Sequence, residues 1–82
     1  MKILKFYAEW CGPCQTYAPI FESVTKEANV EVVNVDIDKD KEGLAAEYKV
    51  RSVPTTIFLK EDGDTIRKVG LLTRSQLTEI IK

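Results

Sequence analysis

The sequence of 82 residues predicts an α/β fold with a four-stranded mixed sheet and helices on both faces. Two observations lead to this prediction. A helical pattern separates the first two β-prone runs, so these strands should lie parallel through a right-handed crossover. The dipeptide Asp62-Gly63 separates the last two β-prone runs and is typical of a hairpin turn, so these strands should be antiparallel.

The apolar pattern assigns each element in chain order. A short apolar run from Ile3 to Ala8 is typical of a strand buried on both faces, and apolar residues at helical spacing follow it as far as Ala28. A β-branched run from Val30 to Ile37 comes next. The predicted elements are strand 2–8, helix about 12–28, strand 30–36, helix about 41–49, strand 55–60, strand 65–69 and helix 74–82.

Two helix starts are also predicted from the sequence. Thr73 and Gln76 have the spacing of a capping box, and Leu72 and Leu77 have the spacing of a hydrophobic staple around the last helix. Asp40 is the predicted N-cap of the middle helix. The acidic run around it resembles a calcium loop, but a lysine stands where such a loop requires glycine, so a solvated turn is favoured.

Length and charge restrict the class of protein. Eighty-two residues are enough for a single domain, 1–82, with a modest core. The net charge is −1, and both signs are scattered along the chain, so neither a nucleic-acid backbone nor a membrane surface is an expected partner. The sequence has no apolar run long enough for a signal segment or a membrane span.

The two cysteines, Cys11 and Cys14, stand where the first strand gives way to the first helix. The unpaired N–H groups and the macrodipole of a helix start favour negative charge, so we expect this position to lower the pKa of the Cys11 thiol. Zinc closure would need two further Cys or His ligands, which the chain lacks. A purely structural disulfide would close too small a loop to stabilise the fold much. A redox-active dithiol is the favoured interpretation.

The chain resembles the thioredoxin family over essentially its whole length. The string Trp-Cys-Gly-Pro-Cys is highly specific to that family, and Val-Pro-Thr and Val-Gly follow at family-like distances. The matching segments are Ala8–Cys14, Ala18-Pro19, Val50–Thr55 and Lys68–Gly70. The resemblance implies a minimal thioredoxin-like fold, β-α-β-α-β-β-α, because ordinary thioredoxins begin with a further strand and helix.

The resemblance also implies the roles of the site residues. Cys11 would be the nucleophile, Cys14 the resolving cysteine, and the two would form the redox disulfide. The residues implied to bind substrate are Trp10, Gly12, Pro13, Val53, Pro54, Gly70 and Leu71. The residues themselves leave simpler alternatives open: Trp10 could be a packing residue, Pro54 an ordinary trans proline, and Gly70 the end of an edge strand.

Lys5 departs from the family pattern, since it stands where thioredoxins usually bury an aspartate six residues before the first cysteine. An ammonium beneath Cys14 would stabilise a thiolate, and a neutral amine could act as a base. We therefore consider Lys5 a modulator of the cysteine pKa and expect a couple more oxidising than the roughly −270 mV typical of thioredoxin. The alternative is a side chain whose aliphatic stem packs on the sheet while its ammonium reaches solvent.

The resulting functional prediction is a cytoplasmic, monomeric protein-disulfide reductase. It would need no bound cofactor and would take electrons from a thioredoxin reductase with NADPH, passing them to oxidised protein disulfides. Two alternatives stay open: a glutaredoxin-like enzyme that uses glutathione, and an interaction module whose cysteines are dispensable. A reducing compartment is the simplest setting for a labile dithiol.

Overall fold

A computed structural model describes all residues from 1 to 82. The elements, in chain order, are β1 (Lys2–Tyr7), α1 (Gly12–Ala28), β2 (Glu31–Asp36), α2 (Leu44–Glu47), β3 (Thr55–Leu59), β4 (Thr65–Val69) and α3 (Arg74–Ile81). The predicted element order is confirmed, and every bound except those of α2 agrees to within one residue. None of the three helices is both long and apolar enough to cross a lipid bilayer.

The four strands form one mixed sheet in the order β2-β1-β3-β4. Strand β1 runs parallel to β2 and antiparallel to β3, and β3 runs antiparallel to β4, as predicted from the connections. At the β3–β4 turn the Lys60 N–H donates to the Asp64 carbonyl at 2.9 Å. Gly63 has a φ of 94°, a conformation that glycine adopts without steric cost. The predicted hairpin is therefore confirmed.

Apolar side chains cover both faces of the sheet, and each face has its own helices. The core on the face of α1 and α3 consists of Ile3, Tyr17, Phe21, Val24, Phe58, Leu72 and Leu77. The core on the opposite face consists of Leu4, Phe6, Val35 and Ile57, with side chains from α2 and the loops beside it packed against them. Successive residues of β1 thus enter different cores, as the alternation of side chains along a strand requires.

The prediction for α2 was wrong in length and in its N-cap. A helix over about 41–49 was expected, but only Leu44–Glu47 is helical, and its N-cap is Gly43 at a φ of 70°. Lys49, at a φ of 55°, lies just beyond the other end. These left-handed residues interrupt the helical backbone on both sides. Asp40 nevertheless satisfies the helix start, since its carboxylate accepts the Leu44 N–H at 3.0 Å and the Ala45 N–H at 2.8 Å.

The start of α3 agrees with the prediction. The Thr73 hydroxyl accepts the Gln76 N–H at 3.1 Å, and the Gln76 side chain accepts the Thr73 N–H at 2.8 Å. This reciprocal pair is the predicted capping box. Leu72 and Leu77 are both buried in the core beneath α1 and α3, where the predicted hydrophobic staple would place them.

A hydrogen bond between α1 and β3 lies inside the core. The Tyr17 hydroxyl and the Thr56 hydroxyl are 2.9 Å apart, and both side chains are fully buried. Burial raises the pKa of the Tyr17 phenol, and the hydrogen bond to Thr56 acts in the opposite direction. Each hydroxyl is the partner that keeps the other from being an unsatisfied polar group in the core.

Lys5 lies on the α1 face of the sheet and is only 6% exposed. Its Nζ is 4.9 Å from the centroid of the Phe21 ring on α1. The stem of Lys5 is thus packed against the sheet and α1, while its ammonium is not among the fully buried polar atoms that lack a partner, so the alternative in which it reaches solvent stays open. Desolvation lowers the pKa of Lys5, while the carboxylate of Glu22 raises it by a smaller amount.

We expect the substitution Tyr17→Phe to lower the free energy of unfolding by about 1–3 kcal/mol, because it leaves the buried Thr56 hydroxyl without a partner. Urea denaturation would measure the change. In the double variant with Thr56→Val both polar groups are gone, so part of the loss should be recovered. A double variant less stable than Tyr17→Phe alone would contradict this account.

We expect Lys5→Met to be more stable than the parent protein at neutral pH. The folded-state pKa of Lys5 lies below its ordinary value of 10.5. Folding therefore costs free energy when Lys5 is charged in both states, at pH values below the folded-state pKa. This cost disappears as the pH rises to 10.5, where the free energy of unfolding is no longer reduced by Lys5. The advantage of Lys5→Met should therefore shrink as the pH rises towards 10.5. Denaturation at several pH values tests this, with Lys2→Met, on the same strand but exposed, as the control that shows no such trend.

Candidate active site

Cys11 caps the amino end of α1. Its backbone is extended, at φ −89° and ψ 108°, and its Sγ accepts the N–H of Cys14 at 3.2 Å. Pro13 occupies the first turn, where its missing N–H costs no helical hydrogen bond. The sulfur thus lies at the positive end of the helix dipole with one backbone donor directed at it, and this environment stabilises a thiolate. The predicted location of Cys11 at the helix start is confirmed.

Cys11 and Cys14 are joined as a disulfide in this structure. Their Cα atoms are 5.2 Å apart, within the ordinary range for a disulfide. Cys11 and Cys14 are only 5% and 6% exposed, so a partner can contact only a small part of either residue. One helical turn therefore holds the two sulfurs within bonding distance of each other without any movement of the backbone.

The loop before β3 borders the Cys11 sulfur. The Val53 carbonyl oxygen is 3.7 Å from Cys11 Sγ, a contact rather than a hydrogen bond, since a disulfide sulfur carries no proton. The peptide bond between Val53 and Pro54 is cis, so Pro54 is not the ordinary trans proline. The Gly70 N–H donates to the Pro54 carbonyl at 2.8 Å, which attaches the end of β4 to this loop. Gly70 has a φ of 92°, which favours glycine there.

Large apolar side chains are exposed around this loop. Trp10 is 69% exposed, so the alternative in which it packs in the core is wrong. Val69 and Leu71, which flank Gly70, are 63% and 49% exposed. Gly12 and Pro13 are exposed at the start of α1. The seven predicted substrate-binding residues thus lie at the start of α1, in the loop before β3 and just beyond β4.

Three residues with no role predicted from the sequence also lie near this site. Val69 is the exposed apolar residue that pairs with Thr55, directly after Pro54. Asp38 accepts the Trp10 indole N–H at 2.8 Å and so orients the ring. Glu22 acts on the charge of Lys5. Only Val69 had a signal in the sequence, as an apolar residue that follows two basic residues at the end of the last strand.

A cleft of about 450 Å³ lies on another side of the cysteine pair, between α1 and strands β1 and β2. Lys5, Cys14, Glu22 and Asn34 are among the residues that line it. Asn34 is the register partner of Lys5 on β2, which brings both side chains to the same part of the sheet. Lys5 and Cys14 therefore line the same solvent-connected cleft.

The site contains one reactive pair and no metal-binding cluster. No three His, Cys, Asp or Glu side chains converge anywhere in residues 1–82. The chemistry that the site itself offers is the opening and closing of the Cys11–Cys14 disulfide, which transfers two electrons and exchanges bonds with an external sulfur.

Comparisons with known proteins agree with this chemistry. The sequence model of the family described as Thioredoxin matches residues 1–82. A thioredoxin of Mycoplasmoides gallisepticum is 37% identical over 81 residues, which cover 98% of this chain and 80% of that protein. A thioredoxin of Borreliella burgdorferi is 39% identical over 82 residues, which cover 98% of this chain and 69% of that protein.

Solved structures show the same similarity. A mutant thioredoxin from Halobacterium salinarum superposes with a TM-score of 0.85 at 36% identity, covering 98% of this chain and 70% of that one. Chloroplastic thioredoxin z superposes with a TM-score of 0.87 at 32% identity, covering 98% and 74%. Because sequence, fold and the disulfide-forming pair all agree, this chain belongs to the thioredoxin family and is an enzyme that exchanges thiols and disulfides with proteins.

Proposed function

We propose that the protein reduces substrate disulfides in two steps. The Cys11 thiolate attacks one sulfur of a substrate disulfide, so a mixed disulfide forms and the other substrate sulfur leaves as a thiolate that takes a proton. Cys14 then loses its proton and attacks Cys11 Sγ, which closes the internal disulfide and releases the second substrate thiol. The hydrogen bond from the Cys14 N–H to Cys11 Sγ carries this assignment, since it marks Cys11 as the sulfur stabilised in anionic form.

The substrate would lie as an extended strand beside the loop before β3. The backbone of Val53, next to Cys11 Sγ, offers hydrogen-bonding groups for a short strand addition. Pro54 and Gly70 would form the floor beside it, while Trp10 and Leu71 would contribute exposed apolar surface. Gly12 and Pro13 add little bulk near the sulfur, and a Cβ built on Gly12 meets no atom within 4 Å.

The reducing partner in this proposal is a thioredoxin reductase that uses NADPH, and the setting is cytoplasmic electron transport and redox homeostasis by a monomer. The Gly-Pro dipeptide between the cysteines favours this donor over glutathione, which is the reductant of the glutaredoxin-like alternative. No bound cofactor takes part in the proposed steps, because both electrons reside in the cysteine pair.

A turnover assay with insulin as a generic protein disulfide tests the function. We expect reduction with NADPH and a thioredoxin reductase, and little with glutathione and glutathione reductase. Cys11→Ser should abolish reduction because the attacking sulfur is gone. Cys14→Ser should stop after one step and accumulate a mixed disulfide, which mass spectrometry would detect.

Three outcomes would contradict parts of this assignment. A mixed disulfide trapped on Cys14 rather than Cys11 would reverse the two roles. Faster reduction by glutathione than by the reductase would favour the glutaredoxin-like alternative. A Cys11→Ser, Cys14→Ser double variant that retained the biological activity would indicate an interaction module.

We expect Lys5 to modulate the reduction potential of the pair. An ammonium near Cys14 stabilises the thiolate, which exists only in the reduced protein, so the couple becomes more oxidising. Lys5→Asp should therefore shift the potential towards more negative values by tens of millivolts, since about 30 mV corresponds to about 1.4 kcal/mol for two electrons. Equilibration of both proteins with a glutathione buffer measures this. Equal potentials, or a shift in the opposite direction, would refute the expectation.

A further inference from the structure

The ammonium of Lys5 has no ion-pair partner while the cysteines are joined. Its Nζ lies 4.9 Å from the Phe21 ring centroid and 5.7 Å from the Tyr7 ring centroid. Lys5 takes part in none of the salt bridges of the structure. Its Nζ is not among the fully buried polar atoms that lack a partner, so it is accessible to water in the cleft. Aromatic faces compensate only partly for lost hydration of an ammonium. In the disulfide form the charge of Lys5 is therefore compensated by the two aromatic faces and by the cleft, with no anion paired to it.

The cleft contains one group whose charge depends on the redox state, and this group is Cys14. In the disulfide Cys14 is neutral. When the Cys11–Cys14 bond is open and Cys14 loses its proton, an anion appears in the same cleft as Lys5. Opposite charges in a poorly solvated space favour each other's charged forms.

Other ionisable or polar groups also face this cleft. Glu22 contributes from α1, Tyr7 from β1, Glu9 from the loop after it and Asn34 from β2. From β3, Thr56 is the register neighbour of Lys5, and its hydroxyl is occupied by the Tyr17 hydroxyl. Of these, Glu22 has a resolved effect on Lys5: its carboxylate favours the ammonium form but makes no ion pair with it.

We propose that Lys5 is the counter-ion of the Cys14 thiolate in the mixed disulfide, and that the cleft beside β1 and α1 carries the Cys14 proton to solvent. This inference rests on the proposed function and deepens its second step. The proton leaves Cys14 for water in the cleft, the electron pair stays on sulfur, and Lys5 holds the anion until it attacks Cys11. The Cys11–substrate bond then breaks and the internal disulfide forms. Lys5 is a positioning residue in this step, since it acts through Cys14.

Glu22 opposes Lys5 in this scheme. Its carboxylate repels a Cys14 thiolate across the same cleft while it attracts Lys5, so the net field at Cys14 is the difference between the two. The balance predicts opposite effects for the two substitutions. Removal of the Lys5 charge should disfavour the thiolate, and removal of the Glu22 charge should favour it.

A coloured aromatic disulfide separates the two steps in one stopped-flow trace. Attack by Cys11 releases the first coloured thiolate at a rate that depends on reagent concentration. Attack by Cys14 on the mixed disulfide then releases the second coloured thiolate, and the rate of this intramolecular step does not depend on reagent concentration. Lys5→Met should slow only the second release, by about threefold for each tenfold loss of thiolate, because the remaining thiolate is more nucleophilic. Lys2→Met, on the same strand but outside the cleft, should leave both rates unchanged.

Two further variants test the charge itself. Lys5→Arg keeps a cation and should restore most of the rate that Lys5→Met loses. Glu22→Gln should raise the rate of the second release at neutral pH, while Glu27→Gln, on the same helix but outside the cleft, should not. In a Cys11→Ser background, the absorbance of the single thiolate should give a higher titration midpoint for Cys14 with Lys5→Met and a lower one with Glu22→Gln.

The counter-ion role and the proposed function fail on different results. If Lys5→Met resolves the mixed disulfide as fast as the parent protein, or if Glu22→Gln slows it or leaves it unchanged, the counter-ion role is overturned. Equal slowing by a folded Lys5→Arg also overturns it. If Lys5→Arg does not fold, Glu22→Gln and the titration of Cys14 still decide. Absence of a first release in the parent protein would instead defeat the proposed function, because that step belongs to Cys11 alone.

Discussion

The chemistry of this chain depends on one backbone hydrogen bond, from the N–H of Cys14 to Sγ of Cys11. It exists because α1 begins directly after Cys11, so the N–H of Cys14, in the first turn, has no backbone partner within the helix and donates to the sulfur. The same turn brings the second sulfur within bonding distance. A single helix start therefore stabilises an anion on one cysteine and holds its reaction partner in place.

The fold gives the two cysteines different surroundings. Cys11 lies beside the Val53 carbonyl, in a region of exposed apolar surface that suits a protein substrate. Cys14 instead lines a cleft to which Lys5 and Glu22 contribute charged side chains. This division matches the two steps of disulfide exchange, since the first sulfur must meet a partner and the second needs only an exit for its proton.

Most of the fold could be predicted because local patterns and global topology agree. The capping box at Thr73 and the turn at Gly63 each depend on a few neighbouring residues, and both are present. The middle helix shows where this reasoning fails. Its length is set by left-handed backbone at Gly43 and Lys49, and backbone of that kind at a lysine has no reliable signal in composition. Asp40 still serves the helix start, but from outside the N-cap position.

The sequence alone determined the reactive pair and its location at the first helix, since both follow from the spacing of Cys11 and Cys14 and from the residues directly around them. Only the tertiary structure decided the surroundings of Lys5 and the exposure of Trp10. The Nζ of Lys5 lies 4.9 Å from the centroid of the Phe21 ring, and this contact forms only when α1 packs on the sheet. The indole of Trp10 is exposed and donates to Asp38, 28 residues further on, a contact that its neighbours in the sequence do not reveal. Such contacts form only once remote elements have packed.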